Sequence, residues 1–367
     1  MKKGNVILSK IKELARLLVD PIVSIILALL VGGIFIALSK ANIGQAYQAL
    51  FEGAIGSKKA FAQTLISATP LMFTAFAFSI AFRSGVFNLG GEGQFYAGAI
   101  LGAWVGFAIH GLPGWLHMIV VMICGALGGA IFGFIPAYLK AKRGVNEVIT
   151  SIMLNYIAID VTNYLVSSTG PLLKDSTLPA TPMIAESCEF SYIMPGTRLT
   201  IGYFIAVACA IFIFVFLWKT RTGYKARAVG LNVNAAEYAG IKTMNYAILT
   251  MAMAGAFAGL GGAIEILAVH HRFYGNFSSG YGFEGVAVGM LGGNHPFGII
   301  LSSILYGALK SGATAMQIKA GTNAEIVKVL QALVIFFIAC KWSIASIAKR
   351  IVTKFKDKVT STAKGGR

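Results

Sequence analysis

Polar side chains that could bind a solute interrupt a chain that is otherwise strongly apolar. Carboxylate and carboxamide groups lie in or beside long apolar stretches, where exposure to lipid is costly and a functional role is the first hypothesis. Their oxygens accept hydrogen bonds, as the binding of hydroxyl-rich solutes requires. The candidate translocation-pathway residues are Asn88, Glu92, Gln94, Asn146, Asn155 and Glu284.

Four of these groups, and Glu147 beside Asn146, have simpler interpretations that the residues leave open. Residues 83–94, RSGVFNLGGEGQ, could form a short cytoplasmic turn introduced by Arg83, or a broken helix whose polar residues face a pathway. Asn155 could serve only to hydrogen-bond two helices, and Glu147 could simply favour the start of a helix. Asp160 is a further polar residue in the same apolar segment as Asn146, Glu147 and Asn155, so at least some of these face the protein interior.

A second polar interruption, residues 219–242, carries five basic residues and one acid, Glu237. Asn234 followed by Glu237 predicts a helix start, Ala235 and Ala236 favour helix, and Gly240 offers a left-handed stop. A helix of little more than one turn is unstable alone, so the pattern favours docking against another protein over an ordinary basic loop.

Composition identifies the class of protein. Of 367 residues, 56% are hydrophobic and 12% charged, half the charged share usual in soluble domains. Several apolar stretches reach the ~20 residues that cross a bilayer as helix. The formal net charge of +17 comes from basic residues placed between and after the apolar spans, which indicates cytoplasmic loops rather than nucleic-acid binding. The sequence therefore predicts an all-α polytopic membrane protein.

Charge placement also predicts the topology. Basic residues in the amphipathic N-terminus, 1–19, and in the tail, 343–367, place both termini in the cytoplasm, so the number of crossings should be even. Counting 281–309 as two short passes, broken by Gly and Pro at 292–298, gives about ten helices in a single transmembrane domain, 20–342. The predicted external loop is 167–199, and the basic loop is 219–244. The stretches 90–102 and 281–293 share an acid–Gly pair and a later Leu-Gly, a weak indication of internal repetition.

Chemistry other than transport finds little support. The sequence contains no HExxH, no GxSxG and no Gly-Lys dipeptide, hence no Walker A loop. Only Cys188, of four cysteines, lies in a polar loop, so no disulfide framework or metal cluster is indicated, and no cofactor is predicted. A transport protein is the best hypothesis. It could be a secondary transporter, or a permease whose ATPase is a separate polypeptide.

Two stretches resemble a known family. Residues 234–241, Asn-Ala-Ala, three residues, then Gly-Ile, resemble the coupling loop of ABC-transporter permeases, although Asn234 replaces the usual Glu. Residues 82–104, FRSGVFNLGGEGQFYAGAILGAW, are similar to the permeases of branched-chain amino acid, simple-sugar and nucleoside importers, the nucleoside branch most closely.

This resemblance implies a transmembrane subunit of an ATP-driven importer in the bacterial plasma membrane, without enzymatic activity of its own. The expected solute is a purine nucleoside such as guanosine, and the alternative is a simple sugar such as ribose. The expected partners are a second, similar permease, an ATPase with two fused cassettes and an external substrate-binding lipoprotein. The residues expected to couple to the ATPase are Arg221, Gly223, Asn234, Ala235, Ala236, Glu237 and Gly240.

Overall fold

Helices account for the regular structure in the part of the chain that a computed structural model describes, residues 26–38, 41–173 and 178–339. The predicted N-terminal segment 1–19 and tail 343–367 lie outside these residues. The helices are α1 (Ile26–Leu38), α2 (Ile43–Ile55), α3 (Lys58–Arg83), α4 (Gly91–Ala108), α5 (Gly114–Arg143), α6 (Glu147–Leu165), α7 (Gly202–Lys219), α8 (Arg221–Leu231), α9 (Val233–Tyr238), α10 (Thr243–Glu265), α11 (Tyr281–Leu291), α12 (Pro296–Ala320) and α13 (Ala324–Ala339). The last turn of α10 continues as a π-helix, Ile266–His270.

Six of the described helices are long and apolar enough to cross a membrane: α3, α5, α6, α7, α10 with its π-helical turn, and α12. This confirms the all-helical membrane class. Two helices were not predicted from the sequence. They are α2 and α8, of which α8 lies in the basic loop, where only a shorter helix was predicted.

The break predicted at 292–298 is confirmed, but its two sides are unequal. α11 has 11 residues and α12 has 25, which extend to Ala320. Gly293 and Asn294 adopt positive φ values of 64° and 52°, which an α-helix cannot continue through, and Pro296 starts the next helix. At ~1.5 Å per residue, α11 spans only about 16 Å and does not cross a bilayer alone.

Residues 51–312 form one compact unit, built around α3, α4 and α10. α10 packs against α3, α4 and α5, and small residues allow these backbones to approach closely. A Cβ atom on Gly255 would lie 2.2 Å from the Gly129 carbonyl oxygen, and one on Gly262 would lie 2.1 Å from that of Phe95. These glycines therefore permit close packing of α10 on α5 and α4.

The segment 178–199 is folded onto this unit. Backbone hydrogen bonds join Thr181 to Phe273 (2.8 Å), Ala185 to Gly106 (2.9 Å) and Phe190 to Leu267 (3.0 Å). Cys188 is buried within it, and burial raises the pKa of its thiol to about 11. The thiol is thus uncharged at neutral pH and packs as a small apolar group.

Residues 26–50 and 313–339 belong to a second compact unit. Within it, the Tyr47 hydroxyl donates a hydrogen bond to the Leu29 carbonyl oxygen, and Leu330 packs closely on Gly32. These contacts join α1, α2 and α13.

Candidate functional site

The basic loop forms two consecutive helices, α8 and α9, each with a side-chain cap. Thr220 Oγ1 accepts from the Gly223 amide (3.0 Å) at the start of α8, and Asn232 Oδ1 accepts from the Ala235 amide (3.0 Å) at the start of α9. The predicted short helix exists, but its predicted cap, Asn234, was wrong. Two asparagines lie two residues apart, and Asn232 has the extended backbone (φ −160°, ψ 109°) that a cap requires.

The end of α9 follows the prediction more closely. Gly240 adopts φ +76°, and its amide donates to the Glu237 carbonyl oxygen at 2.8 Å. The Glu237 carboxylate does not reach back toward the helix start. It accepts from the Thr243 hydroxyl at 2.8 Å and so ties α9 to the start of α10.

The predicted coupling residues divide into an exposed and a buried group. Arg221, Asn234, Ala235, Glu237 and Gly240 are exposed, whereas Gly223 and Ala236 are buried. A Cβ atom on Gly223 would lie 2.0 Å from the Phe216 carbonyl oxygen, so this glycine permits the tight corner between α7 and α8.

Large apolar side chains point outward from the same loop. Leu231 is 88% exposed and Tyr238 is 95% exposed. Tyr224 and Val233 are exposed as well. We define these four residues as the exposed apolar surface of α8–α9. This surface was not predicted from the sequence, although large apolar residues within a basic loop can indicate an interaction site.

α8 packs directly against the glycine-rich segment 84–90. A Cβ atom on Gly230 would lie 2.2 Å from the Arg83 carbonyl oxygen and 2.9 Å from the Gly85 nitrogen. Gly85 has φ +78°, so the chain turns sharply at this contact. A shift of α8 must therefore displace the turn that follows α3.

Trp218, which sequence reasoning also missed, reinforces this contact. The guanidinium carbons of Arg83 and Arg227 each lie 5.5 Å from its ring centroid, within cation–π range. Arg83 also donates to the carbonyl oxygens of Asn294 (2.9 Å) and Gly293 (3.0 Å). The cluster therefore joins the ends of α3 and α7, helix α8 and the break between α11 and α12.

The other end of segment 84–90 holds a buried amide cluster. Asn88 and Gln94 exchange side-chain hydrogen bonds of 3.0 and 3.1 Å, and Asn88 also accepts from the Gly90 amide at 2.9 Å. Asn155 of α6 accepts from the Gly93 amide (2.8 Å) and donates to the Leu89 carbonyl oxygen (2.7 Å). Asn155 thus joins two helices, as its simpler interpretation expects.

The amino-terminal ends of α4 and α11 meet at this cluster. The Glu92 carboxylate accepts from the Gly282 amide at 2.5 Å, and a Cβ atom on Gly282 would lie 2.1 Å from the Glu92 nitrogen. Glu92 lies in the first turn of α4 and Glu284 in the first turn of α11. The two acid–Gly pairs of the suspected repeat therefore occupy corresponding places in the two helices.

Glu284 is tied to α12. It accepts from Lys310 Nζ at 2.8 Å, and the same ammonium group lies 4.1 Å from the Tyr281 ring centroid. Both Glu284 and Lys310 are within electrostatic range of Glu92. We call the group formed by Asn88, Glu92, Gln94, Asn155 and Glu284 the helix-junction cluster.

Asn146 does not join the helix-junction cluster. It caps α6, with Oδ1 accepting from the Val148 amide at 2.9 Å, and it is exposed. Glu147 follows as the first helical residue and pairs with Lys140. Asn146 lies nine residues, about 14 Å along the helix, from Asn155.

Comparison with known proteins identifies relatives of the whole chain. Residues 60–339 match the family described as the branched-chain amino acid transport system permease component. The chain is 36% identical over 354 residues to a guanosine ABC transporter permease protein of Bacillus subtilis, which covers 94% of this chain and 99% of that protein. It is 37% identical over 337 residues to a nucleoside ABC transporter permease protein of Lactococcus lactis, covering 90% and 92%. A glucose ABC transporter permease protein of Haloferax volcanii is 30% identical over 329 residues, covering 87% and 86%.

Proposed function

Because the chain belongs to the permease family of branched-chain amino acid transport systems, we propose that it is the transmembrane subunit of an ATP-driven importer of purine nucleosides such as guanosine. The observation that carries the choice of solute is the 36–37% identity, over most of the chain, to permeases named for guanosine and nucleosides. The protein is a transport component of the plasma membrane rather than an enzyme, as its family membership implies.

We infer that the exposed apolar surface of α8–α9 docks on the ATPase subunit. Leu231 and Tyr238 are almost fully exposed on a loop otherwise rich in basic residues. Aromatic and aliphatic residues of this kind anchor interfaces when they enter a partner's pocket. Arg221, Asn234, Ala235, Glu237 and Gly240 border this surface, and the buried Gly223 and Ala236 hold it on the bundle.

The contacts of α8 suggest how docking would be transmitted. Movement of α8 would be passed through Gly230 to the Gly85 turn, and through Trp218 to Arg83 and the α11–α12 break. The other end of segment 84–90 leads to the helix-junction cluster. Two packings of α4 and α11, selected by the ATPase, would expose the pathway alternately to each side of the membrane.

We infer that the helix-junction cluster lies beside the translocation pathway, because its residues are polar. Broken helices whose amino-terminal ends meet inside a membrane protein are common at transport sites. Asn88, Glu92, Gln94, Asn155 and Glu284 would line or support that pathway, and Asn146 would lie nearer the cytoplasmic end of α6. In the structure these side chains bond mainly to one another and to backbone, so their contact with solute would require rearrangement.

The assembly would contain further subunits. An ABC importer needs an ATPase and a substrate-binding protein, and we propose that the ATPase carries two fused cassettes and that the binding protein is an external lipoprotein. A second, homologous permease would complete the pathway. The segment 178–199, folded onto the bundle, offers a surface for the external binding protein.

We also propose ten crossings with both termini in the cytoplasm. The six candidate spans would be supplemented by α1, α4 and α13, which are apolar but shorter or less hydrophobic, and by α11 as a short pass that crosses only together with the chain before it. Fusions of alkaline phosphatase and green fluorescent protein after Ala41, Gly111, Gly144, Ser168, Thr220 and the C-terminus would test this. Fluorescence without phosphatase activity at Gly144, Thr220 and the C-terminus is expected, and the reverse at the C-terminus would contradict the topology.

Sugar import is the second candidate, because a glucose permease is 30% identical over 87% of the chain. Uptake of labelled guanosine by cells expressing the chain with its partner subunits separates the two. Competition by adenosine but not by ribose or glucose is expected for a nucleoside importer. Competition by either sugar, or labelled glucose uptake that exceeds guanosine uptake, would reassign the solute.

A further inference from the structure

Helix α6 presents an unusual exposed face for a membrane span. α6 packs against α4 and α5 on one side, but only 22% of the residues in its apolar stretch are buried, and seven of its residues are exposed. The exposed residues recur at intervals of three and four and therefore form one stripe along the helix. They are Ile149, Met153, Tyr156, Ile157, Asp160, Val161 and Tyr164.

Two neighbouring spans show what a lipid-facing stripe looks like in the same protein. In α5 and in α7, only 28% of the residues in the apolar stretch are buried. The exposed stripe of α5 runs through aliphatic and aromatic residues, with Trp115 and Tyr138 toward its two ends. The exposed stripe of α7 is wholly apolar from Ile201 to Val215. Neither stripe carries a charge between its ends.

Asp160 breaks this pattern on α6. Its side chain is exposed, and no hydrogen bond or ion pair is found for it among the described residues. It lies 13 residues, about 20 Å, from Glu147 and five residues, about 8 Å, before the end of α6 at Leu165. An ionised carboxylate that faces lipid inside a span is unfavourable even one turn from its end, which favours a polar environment for this stripe in the assembled transporter.

The residues beside Asp160 indicate which occupant fits. Tyr156 and Tyr164 lie one turn before and one turn after Asp160, and both phenols are exposed, at 58% and 59%. Phenol rings can stack on a planar base, and a carboxylate can accept two N–H or O–H donors side by side. A guanine edge presents adjacent N–H donors, and a ribose presents adjacent hydroxyl groups.

We propose that Tyr156, Asp160 and Tyr164 form a nucleoside-contacting stripe on the translocation pathway, with Asp160 accepting hydrogen bonds from the donor edge of the passing purine nucleoside. These three residues would contact the solute directly, and their assignment rests on the proposed nucleoside transport. It adds to the helix-junction cluster, whose polar groups are already engaged with one another.

Thiol labelling tests whether the stripe is wet and solute-lined. In the assembled complex, with the four native cysteines replaced by alanine, Ile157→Cys and Val161→Cys keep Asp160 intact and flank it. We expect a charged, membrane-impermeant methanethiosulfonate to label both, and guanosine in transport buffer to slow the labelling. The matched controls are Ile123→Cys on α5 and Ile211→Cys on α7, which should not react. Equal lack of reaction at all four positions, or labelling indifferent to guanosine, would overturn the proposal.

Substitution of the carboxylate gives the second test. With the external binding protein saturated, Asp160→Asn should lower the guanosine uptake rate about tenfold, as expected for loss of a charge-assisted hydrogen bond, and adenosine uptake should fall less. Tyr156→Phe should also reduce uptake, whereas Tyr138→Phe on α5 should not. Unchanged guanosine uptake in Asp160→Asn would refute the stripe while leaving nucleoside import intact. A loss of the second permease subunit from purified Asp160→Asn complex would instead assign Asp160 to a subunit interface. A cysteine-containing parent complex that takes up no nucleoside would refute both proposals.

Discussion

Gly282 shows how little space separates α4 from α11. A Cβ atom at this position would lie 2.1 Å from the Glu92 nitrogen and 2.4 Å from its Cα atom. Both are backbone atoms, which cannot move aside as the end of a flexible side chain can. The close approach also places the Gly282 amide on the Glu92 carboxylate, so one glycine sets both the spacing and the polarity of the junction.

We expect Gly282→Ala to lower the thermal unfolding midpoint of the purified permease and to abolish uptake. Overpacking of this kind typically costs about 1–3 kcal/mol, and more where only backbone can yield. Gly275→Ala is the matched control, because its Cβ atom would meet only the Asn163 side chain, at 3.4 Å. Equal midpoints for the two variants would contradict the close junction.

Asn155 hydrogen-bonds to two backbone groups at the start of α4 and just before it. Its side chain satisfies the Gly93 amide and the Leu89 carbonyl oxygen, and it is buried. Removal of a buried partner leaves such groups unsatisfied at a cost of about 1–3 kcal/mol.

Asn155→Ala should therefore lower the unfolding midpoint markedly. Asn163→Ala, on the same helix, should change it little, because Asn163 makes its hydrogen bonds to Asn276 at an exposed site where water can replace them. Thermal unfolding of both variants in detergent, followed by intrinsic fluorescence, makes the comparison. A similar fall of the unfolding midpoint in both variants would show that the two buried hydrogen bonds of Asn155 stabilise the fold no more than the exposed ones of Asn163.

At the scale of elements, α9 depends on its termination. Gly240 holds a φ of +76° and donates its amide to Glu237, so the position requires both a left-handed conformation and an N–H group. Proline supplies neither, whereas asparagine tolerates the left-handed region and keeps the amide.

Gly240→Pro should abolish transport while leaving membrane insertion and the amount of protein unchanged, and Gly240→Asn should retain most activity. Uptake by cells with matched membrane levels of each variant measures this. Normal transport by Gly240→Pro would refute the role of α9 as a docking helix.

The exposed apolar surface of α8–α9 makes a separate prediction. Because Leu231 and Tyr238 contribute little to the fold of the isolated chain, Leu231→Ser and Tyr238→Ser should weaken ATPase binding, by about 2 kcal/mol if they act as interface anchors, without lowering the unfolding midpoint. Co-purification of the ATPase with the permease gives the readout. Tyr192→Ser, an exposed tyrosine in the segment 178–199, is the control. Full ATPase recovery with both loop variants would place docking elsewhere.

The elements that could be predicted from the sequence are those set by local signals. Apolar length indicated the membrane-spanning helices, six of which the described residues contain, and the Gly-Pro cluster indicated the break before α12. The cap of α9 was misplaced because Asn232 and Asn234 are chemically equivalent, and only the backbone conformation distinguishes them.

The contacts between distant residues could not be predicted in this way. The bond from Gly282 to Glu92 joins residues 190 positions apart, and Trp218 gathers two arginines from different helices. Periodicity and capping carry no information about such pairs. The role proposed for Asp160 also required the structure, since its exposure became informative only beside the apolar stripes of α5 and α7.

At the scale of the whole molecule, unit 51–312 connects a docking surface to a polar junction. α8 contacts the Gly85 turn, the turn leads to Asn88 and Gln94, and the junction holds the starts of α4 and α11. Such a connection can transmit movement only if a separate ATPase subunit docks on α8–α9. A secondary transporter needs no docking surface. Energy coupling is therefore the central claim.

The most direct measurement is guanosine accumulation in proteoliposomes that contain the complete complex. The external binding protein and the guanosine are on one side of the membrane, and ATP is on the side of the ATPase. The account predicts accumulation above the equilibrium level with ATP, none with ADP, and none for vesicles that lack the ATPase. Equilibration of guanosine by this chain alone, at a rate unaffected by ATP, would contradict ATP-driven import and identify a secondary transporter.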